Sequence, residues 1–142
     1  MANTTSLAKI GDIQVFKPPL IEDPRGRLLA IQPGPQLPFN IGRVFVVQAN
    51  AGIIRGNHAH KRCNQYLVCM TGAVEVVCDD GDEKTSFLLD GPSQALWIPP
   101  GIWATQTYRH DDSELIVLCD LPFDEGDYLR DYTSFKAYRR AA

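Results

Sequence analysis

Arg55-Gly-Asn57-His58-Ala-His60-Lys61-Arg62-Cys63-Asn-Gln65-Tyr-Leu-Val-Cys69-Met-Thr-Gly72 is the stretch whose reading decides the fold. Two histidines stand one residue apart, just before a β-prone run that ends on a glycine. In an extended chain, residues i and i+2 share a face, so the imidazoles of His58 and His60 lie side by side while Ala59 points away. Paired imidazoles on one wall of a β pocket suit either a metal site or proton transfer.

Outward from this stretch the chain is a series of short β-prone segments, each stopped by turn residues. They are 13–16, 27–32, 42–50, 65–70, 73–78, 85–89, 95–98, 102–108 and 114–120. The stops include Asp23-Pro-Arg-Gly26, Pro33-Gly34-Pro35, Asp79-Asp-Gly-Asp82 and Pro99-Pro-Gly101. Segments 65–70 and 73–78 read as a hairpin across Thr71-Gly72. Strands spaced by about ten residues predict an all-β sandwich or barrel. Helical period is confined to the tail, about 125–140, where Tyr128, Leu129, Tyr132, Phe135 and Tyr138 recur near 3.6 residues. Residues 1–11 read as a leader or an edge segment. No repeat or linker divides the 142 residues, so one domain, 1–142, is expected.

Composition is that of an ordinary globular chain, with 44% hydrophobic residues, 22% charged residues and a net charge of −3. No basic excess points to nucleic acid, and no apolar run spans a bilayer. The first residues lack the pattern of a signal peptide, so a cytoplasmic location is expected. Cys63, Cys69, Cys78 and Cys119 are scattered without a Cys-x-x-Cys pair. They read as buried reduced thiols, with a disulfide framework or a zinc site disfavoured.

The spacing of the central stretch resembles the first motif of the cupin family, G…H-x-H-x4-E-x6-G, with Gln65 at the glutamate position. The second motif, P-x-G-x2-H, is visible at Pro99 to Ala104, with Ala104 at the histidine position. Two of the four ligands of a metal-binding cupin are therefore missing, since glutamine is neutral and alanine has no donor atom. A metal-free pocket with no cofactor is expected. Arg55, Lys61 and Arg62 flank the histidines, and Arg25 and Arg27 lie near another strand start. Arg43 sits inside an apolar strand. Such cations suit an anionic ligand.

Taken together, Arg-Gly-x-His-Ala-His-Lys, Gln65-x-Leu-Val-Cys, Asp79-Asp-Gly81 and Asp124-Glu-x-Asp-Tyr-Leu-Arg130 resemble the sugar 3,4-ketoisomerases of the cupin superfamily. The likeness runs from Asp23 to about Lys136. It implies a jelly-roll β-barrel with a short helical tail, a homodimer, and action on dTDP-4-keto-6-deoxyglucose without metal. The product would pass to a PLP aminotransferase for a 3-amino-3,6-dideoxyhexose of a surface polysaccharide such as O-antigen or S-layer glycan. It also implies His60 as base and His58 beside it in the proton traffic, although the residues alone do not order the two roles. Relatives carry Trp-His where this chain has Trp103-Ala104, and tyrosine where it has Phe45.

Arg55, Arg25, Arg27, Arg43, Asn57 and Lys61 are the expected substrate contacts. Gln65 would bond a histidine or sugar hydroxyl, or act structurally. Trp103 would stack on the sugar or base, or sit in the core. Tyr128 and Tyr132 are expected to dock the tail. The alternatives are a 3,5-epimerase, disfavoured because no aspartate partner for either histidine is apparent, a non-catalytic nucleotide-sugar-binding cupin, and a metal-dependent dioxygenase.

Overall fold

The computed structural model describes residues 6–142. Twelve strands run in chain order: β1 (Gln14–Phe16), β2 (Leu20–Asp23), β3 (Gly26–Leu29), β4 (Arg43–Ala49), β5 (Ile54–His60), β6 (Gln65–Thr71), β7 (Val74–Asp79), β8 (Lys84–Leu89), β9 (Ala95–Ile98), β10 (Trp103–Tyr108), β11 (Ser113–Cys119) and β12 (Tyr128–Leu129). One helix, α1 (Tyr132–Ala141), follows. Two antiparallel five-stranded sheets, ordered β1-β9-β6-β11-β4 and β12-β5-β10-β7-β8, form the jelly roll. The β2–β3 hairpin stands apart. The expected all-β barrel with a helical tail is what forms.

The sheets close over one apolar core that includes Leu67, Cys69, Val76, Cys78, Leu96, Ala104, Leu115 and Val117. In β4, Arg43, Phe45, Val47 and Ala49 are half-buried, while Val44, Val46 and Gln48 are exposed. This is the alternation of a strand with one face on the core. β6 instead reads as an unbroken apolar run because both of its faces are covered. Tyr66 and Val68 pack under Leu29, Ile31, Leu37 and Phe39 on the outside, in a second cluster.

Three boundaries differ from expectation. Segments 65–70 and 73–78 are not a hairpin: β6 pairs with β9 and β11, whereas β7 pairs with β8 and β10. Gly72, at φ 78°, turns the chain from one sheet to the other, and a Cβ there would collide with the Ser113 hydroxyl. The expected strand 27–32 pairs only as far as Leu29, since Ile31 packs into the outer cluster instead. The expected helix 125–140 is divided. Glu125–Asp127 is a 3₁₀ turn capped by Asp124, β12 bonds to β5, and Asp131 accepts from the Ser134 amide to start α1.

Ile10–Asp12 is a 3₁₀ turn, so the expected leader or edge segment carries local structure there, and residues 1–5 lie outside the described residues. No helix among the described residues is long and apolar enough to cross a membrane.

Candidate active site

β5 places both histidines on one face, as its alternation requires. The imidazole centroids of His58 and His60 are 5.1 Å apart, edge to face. Ala59 points the other way, into a cluster with Trp103, Leu129 and Phe135 beneath α1. A bulge in β5 extends the histidine face. Thr105 of β10 pairs with Gly56 and Ala104 with His58, which leaves Asn57 as the extra residue. Gly56 at φ 86° and Asn57 at φ 55° supply the backbone this needs. Arg55, three residues from His58, is thereby paired with Gln106 on the same side of the sheet as the Ala104–His58 pair.

The segment after β11 completes the site. Asp127 is 4% exposed, and its Oδ2 lies 3.3 Å from His60 Nδ1. The backbone amides of Arg62 (2.7 Å) and Cys63 (3.2 Å) donate to the same carboxylate. A carboxylate at Nδ1 holds the proton on that nitrogen and leaves the Nε2 lone pair free. His60 Nε2 is buried and has no hydrogen-bond partner among the described residues, and the same holds for His58 Nδ1. The Tyr128 ring packs on both imidazoles, with centroids 4.3 Å from His60 and 5.1 Å from His58. Arg43 Nη1 donates to the Tyr128 hydroxyl at 3.3 Å. The Arg43 guanidinium also lies over the rings of Phe45 and Phe123. Arg130 stacks on Tyr128 at 4.2 Å and pairs with Glu125.

Burial pushes the pKa of His58 down to about 4, and the neighbouring His60 lowers it further within that figure. The His60 pKa is also lowered, by burial first, with Asp127 acting in the opposite direction. Both rings are therefore neutral near pH 7, the form in which an imidazole accepts a proton.

The structure brings His58, His60, Arg43 and Arg55 to one side, and moves several expected contacts away. Trp103 stacks on Tyr132 and Phe135 of α1, on the opposite face of the sheet from the histidines. Asn57 bonds Thr105 and lines a cleft with Trp103 and Tyr132 on that outer face. The Lys61 ammonium lies near the ring of Tyr138, again toward α1. Gln65 donates to Cys119 Sγ at 4.0 Å, rather than to a histidine. Within the chain, Arg25 is engaged with Asp23 in the exposed β2–β3 turn, and Arg27 reaches the Met70 carbonyl, so neither touches the imidazoles.

Two expectations about the tail are corrected. An aspartate partner for a histidine does exist, in Asp127, and Tyr128 is part of the pocket wall rather than a docking residue. Both lie in the Asp124–Arg130 motif that carried the family resemblance, which was the available pointer to them. Their approach to His60 depends on β12 pairing with β5, Tyr128 opposite His60, and local sequence does not show a long-range pairing.

A metal in the cupin position does not fit these residues. Gln65 is turned to Cys119, and Ala104, opposite His58, offers no donor.

The family described as FdtA (WxcM-like, C-terminal) matches residues 11–140. A TDP-4-oxo-6-deoxy-alpha-D-glucose-3,4-oxoisomerase from Aneurinibacillus thermoaerophilus is 39% identical over 119 residues, which is 83% of this chain and 86% of the relative. Among solved structures, QdtA, a sugar 3,4-ketoisomerase from Thermoanaerobacterium thermosaccharolyticum in complex with TDP, superposes with a TM-score of 0.88. It is 30% identical and covers 94% of this chain and 98% of its own. A 3,4-ketoisomerase from Helicobacter canadensis has a TM-score of 0.86 and is 30% identical, covering 91% of this chain and 98% of its own. With a cupin barrel, a buried histidine pair and this match over nearly the whole length, the chain belongs to the FdtA family of WxcM-like C-terminal domains.

Proposed function

We propose that this single-domain chain is a metal-independent sugar-nucleotide 3,4-ketoisomerase that shifts the keto group of a dTDP-4-keto-6-deoxyhexose from C4 to C3. The observation that carries the reading is the His60–Asp127 pair, which leaves an unpartnered Nε2 beside a second neutral imidazole. The names of the relatives, one of them bound to TDP, supply the substrate class.

His60 Nε2 removes the C3 proton, which the C4 ketone acidifies, and the C3–H electron pair flows into an enediol. His58 moves a proton from the C3 oxygen to the C4 oxygen. The proton on His60 Nε2 exchanges with solvent while the enediol is held, and His60 then delivers a solvent-derived proton to C4. The C3 alcohol is oxidised and the C4 ketone reduced, so no outside oxidant is needed. Arg43, through Tyr128, supports negative charge developing on the enediolate oxygens. Arg55, exposed on the histidine side, binds the diphosphate in this reading. The 3-keto product is a ketone suited to a PLP aminotransferase. A homodimer is part of this reading, supported by Val44 and Val46 exposed on edge strand β4.

NMR of dTDP-4-keto-6-deoxyglucose with the protein in D2O tests the assignment. Deuterium at C4 of a 3-keto product is expected. Deuterium at C3 and C5 with the ketone still at C4 would make the protein a 3,5-epimerase, a reading that the Asp127 partner of His60 makes chemically reasonable. No exchange beyond the enzyme-free control would leave a binding module.

A further inference from the structure

Behind His60, on the side opposite its free Nε2, the His60–Asp127 pair meets two buried thiols that the isomerisation does not use. A His60 ring nitrogen, Cys63 Sγ and an Asp127 carboxylate oxygen all lie within 4.8 Å of one another, and Nδ1 is the nitrogen that faces Asp127 Oδ2, at 3.3 Å. The three residues are only 7%, 6% and 4% exposed. Cys119, 1% exposed, brings a second sulfur next to that of Cys63, whose thiol donates to the Asn64 carbonyl at 3.3 Å. The carboxylate is already fixed by the Arg62 and Cys63 amides, and Gln65 is turned to Cys119 Sγ. One edge of the set is thus held in place before any ion arrives, which is how outer hydrogen bonds pre-organise metal ligands.

We propose that this cluster is a binding site for a thiophilic divalent cation, with Zn²⁺ as the type, held by His60 Nδ1, Cys63 Sγ and Asp127, with Cys119 or water as fourth ligand.

Charge and geometry support it. One thiolate and one carboxylate neutralise a dication, and a mixed N/S/O set suits zinc rather than magnesium or calcium. Zinc bonds of roughly 2.0–2.3 Å put tetrahedral donors about 3.3–3.8 Å apart. The present spacing therefore needs a contraction of about one ångström, within the reach of χ rotation. Binding releases the Cys63 thiol proton to solvent. In the neutral His60 ring, the proton on Nδ1 gives way to the metal and the ring proton resides on Nε2.

The consequence follows directly and rests on the ketoisomerase reading: the nitrogen that should accept the carbon proton is already protonated. The cation is then an inhibitor, reached by occupying the back of the catalytic base rather than the sugar pocket.

The test uses full-length protein stripped with EDTA. Titration with Co²⁺ is expected to give a thiolate-to-cobalt charge-transfer band at one ion per chain, removed by Zn²⁺. Cys63→Ser should lose the band and weaken Zn²⁺ binding, measured by competition with a chromophoric chelator, by roughly tenfold or more. With its own turnover in chelator as the reference, micromolar Zn²⁺ should inhibit it at least tenfold more weakly than it inhibits wild type. Cys63→Ala, checked by circular dichroism, repeats the comparison if the serine variant is misfolded. His58→Asn should keep the band.

No charge-transfer band, unchanged Zn²⁺ affinity in the folded Cys63 variants, or loss of binding in His58→Asn would overturn the site. The last of these would place the ion between the histidines. A band with the expected mutational pattern, but no isomerisation in chelator, would retain the site and discard the ketoisomerase reading.

Discussion

His60 and Asp127 form the pair on which the chemistry turns, and they invite separate substitutions. His60→Asn removes the base, and a 10²–10⁴-fold fall in kcat, roughly the usual range for general acid–base catalysis, is expected, with loss of deuterium incorporation at C4. Near-full turnover would remove His60 from the role. Asp127→Asn tests positioning. Its amide can present N–H to Nδ1 and thereby favour the tautomer protonated at Nε2, so kcat should fall roughly 100-fold or more with KM little changed. Because Asp127 raises the His60 pKa, the acid limb of kcat/KM should also move to lower pH in this variant, which mere loosening of the fold would not produce.

In the wild type, the depressed histidines place that limb below pH 6.5, and a profile of the free enzyme checks it. Stability has a matching sign. The folded His58 pKa of about 4 lies below its unfolded value of 6.5, so the unfolded chain binds more protons between them. The contribution is whole above about pH 6.5 and is lost as pH falls through about 4, which urea unfolding as a function of pH would show.

At the scale of elements, the β5 bulge and α1 matter most. A Cβ on Gly56 would lie 2.9 Å from the Ala104 carbonyl oxygen, at a φ that side chains rarely adopt. Gly56→Ala should therefore lower stability by about 1–3 kcal/mol, measured by urea unfolding, and reduce kcat/KM by displacing Arg55 relative to His58. α1 is held by Phe135, fully buried against Ala59 and Trp103. Phe135→Ala should cost about 3–5 kcal/mol. Since the same cluster backs β5 directly behind the histidines, activity should decline as well. These effects explain why Trp103, expected at the sugar, is better understood as the floor on which the helix rests.

For the whole molecule, the open question of assembly centres on β4. It is an edge strand of its sheet, and Val44 and Val46 are 54% and 53% exposed. An exposed apolar edge of this kind invites pairing with a second copy. Sedimentation should find a dimer for wild type and a monomer for the V44K/V46K double variant. A wild-type monomer would discard the dimer reading. Arg25 and Arg27 belong to this scale too, since the β2–β3 hairpin that carries them pairs with neither five-stranded sheet and so not with the strand that holds the histidines.

The sequence by itself determined the local periods: Gly/Pro-punctuated strands, the i, i+2 histidine pair on one face with Ala59 on the other, and the absence of two cupin ligands at Gln65 and Ala104. These are properties of neighbouring residues, and backbone geometry fixes them wherever the strand ends up. Tertiary structure alone decided which sheet β7 joins, that a bulge keeps Arg55 with His58, and that Asp127, 67 residues along the chain, meets His60. The reason is physical. Those outcomes depend on long-range strand pairing and on satisfying buried polar groups, and neither has a period that can be read along the chain.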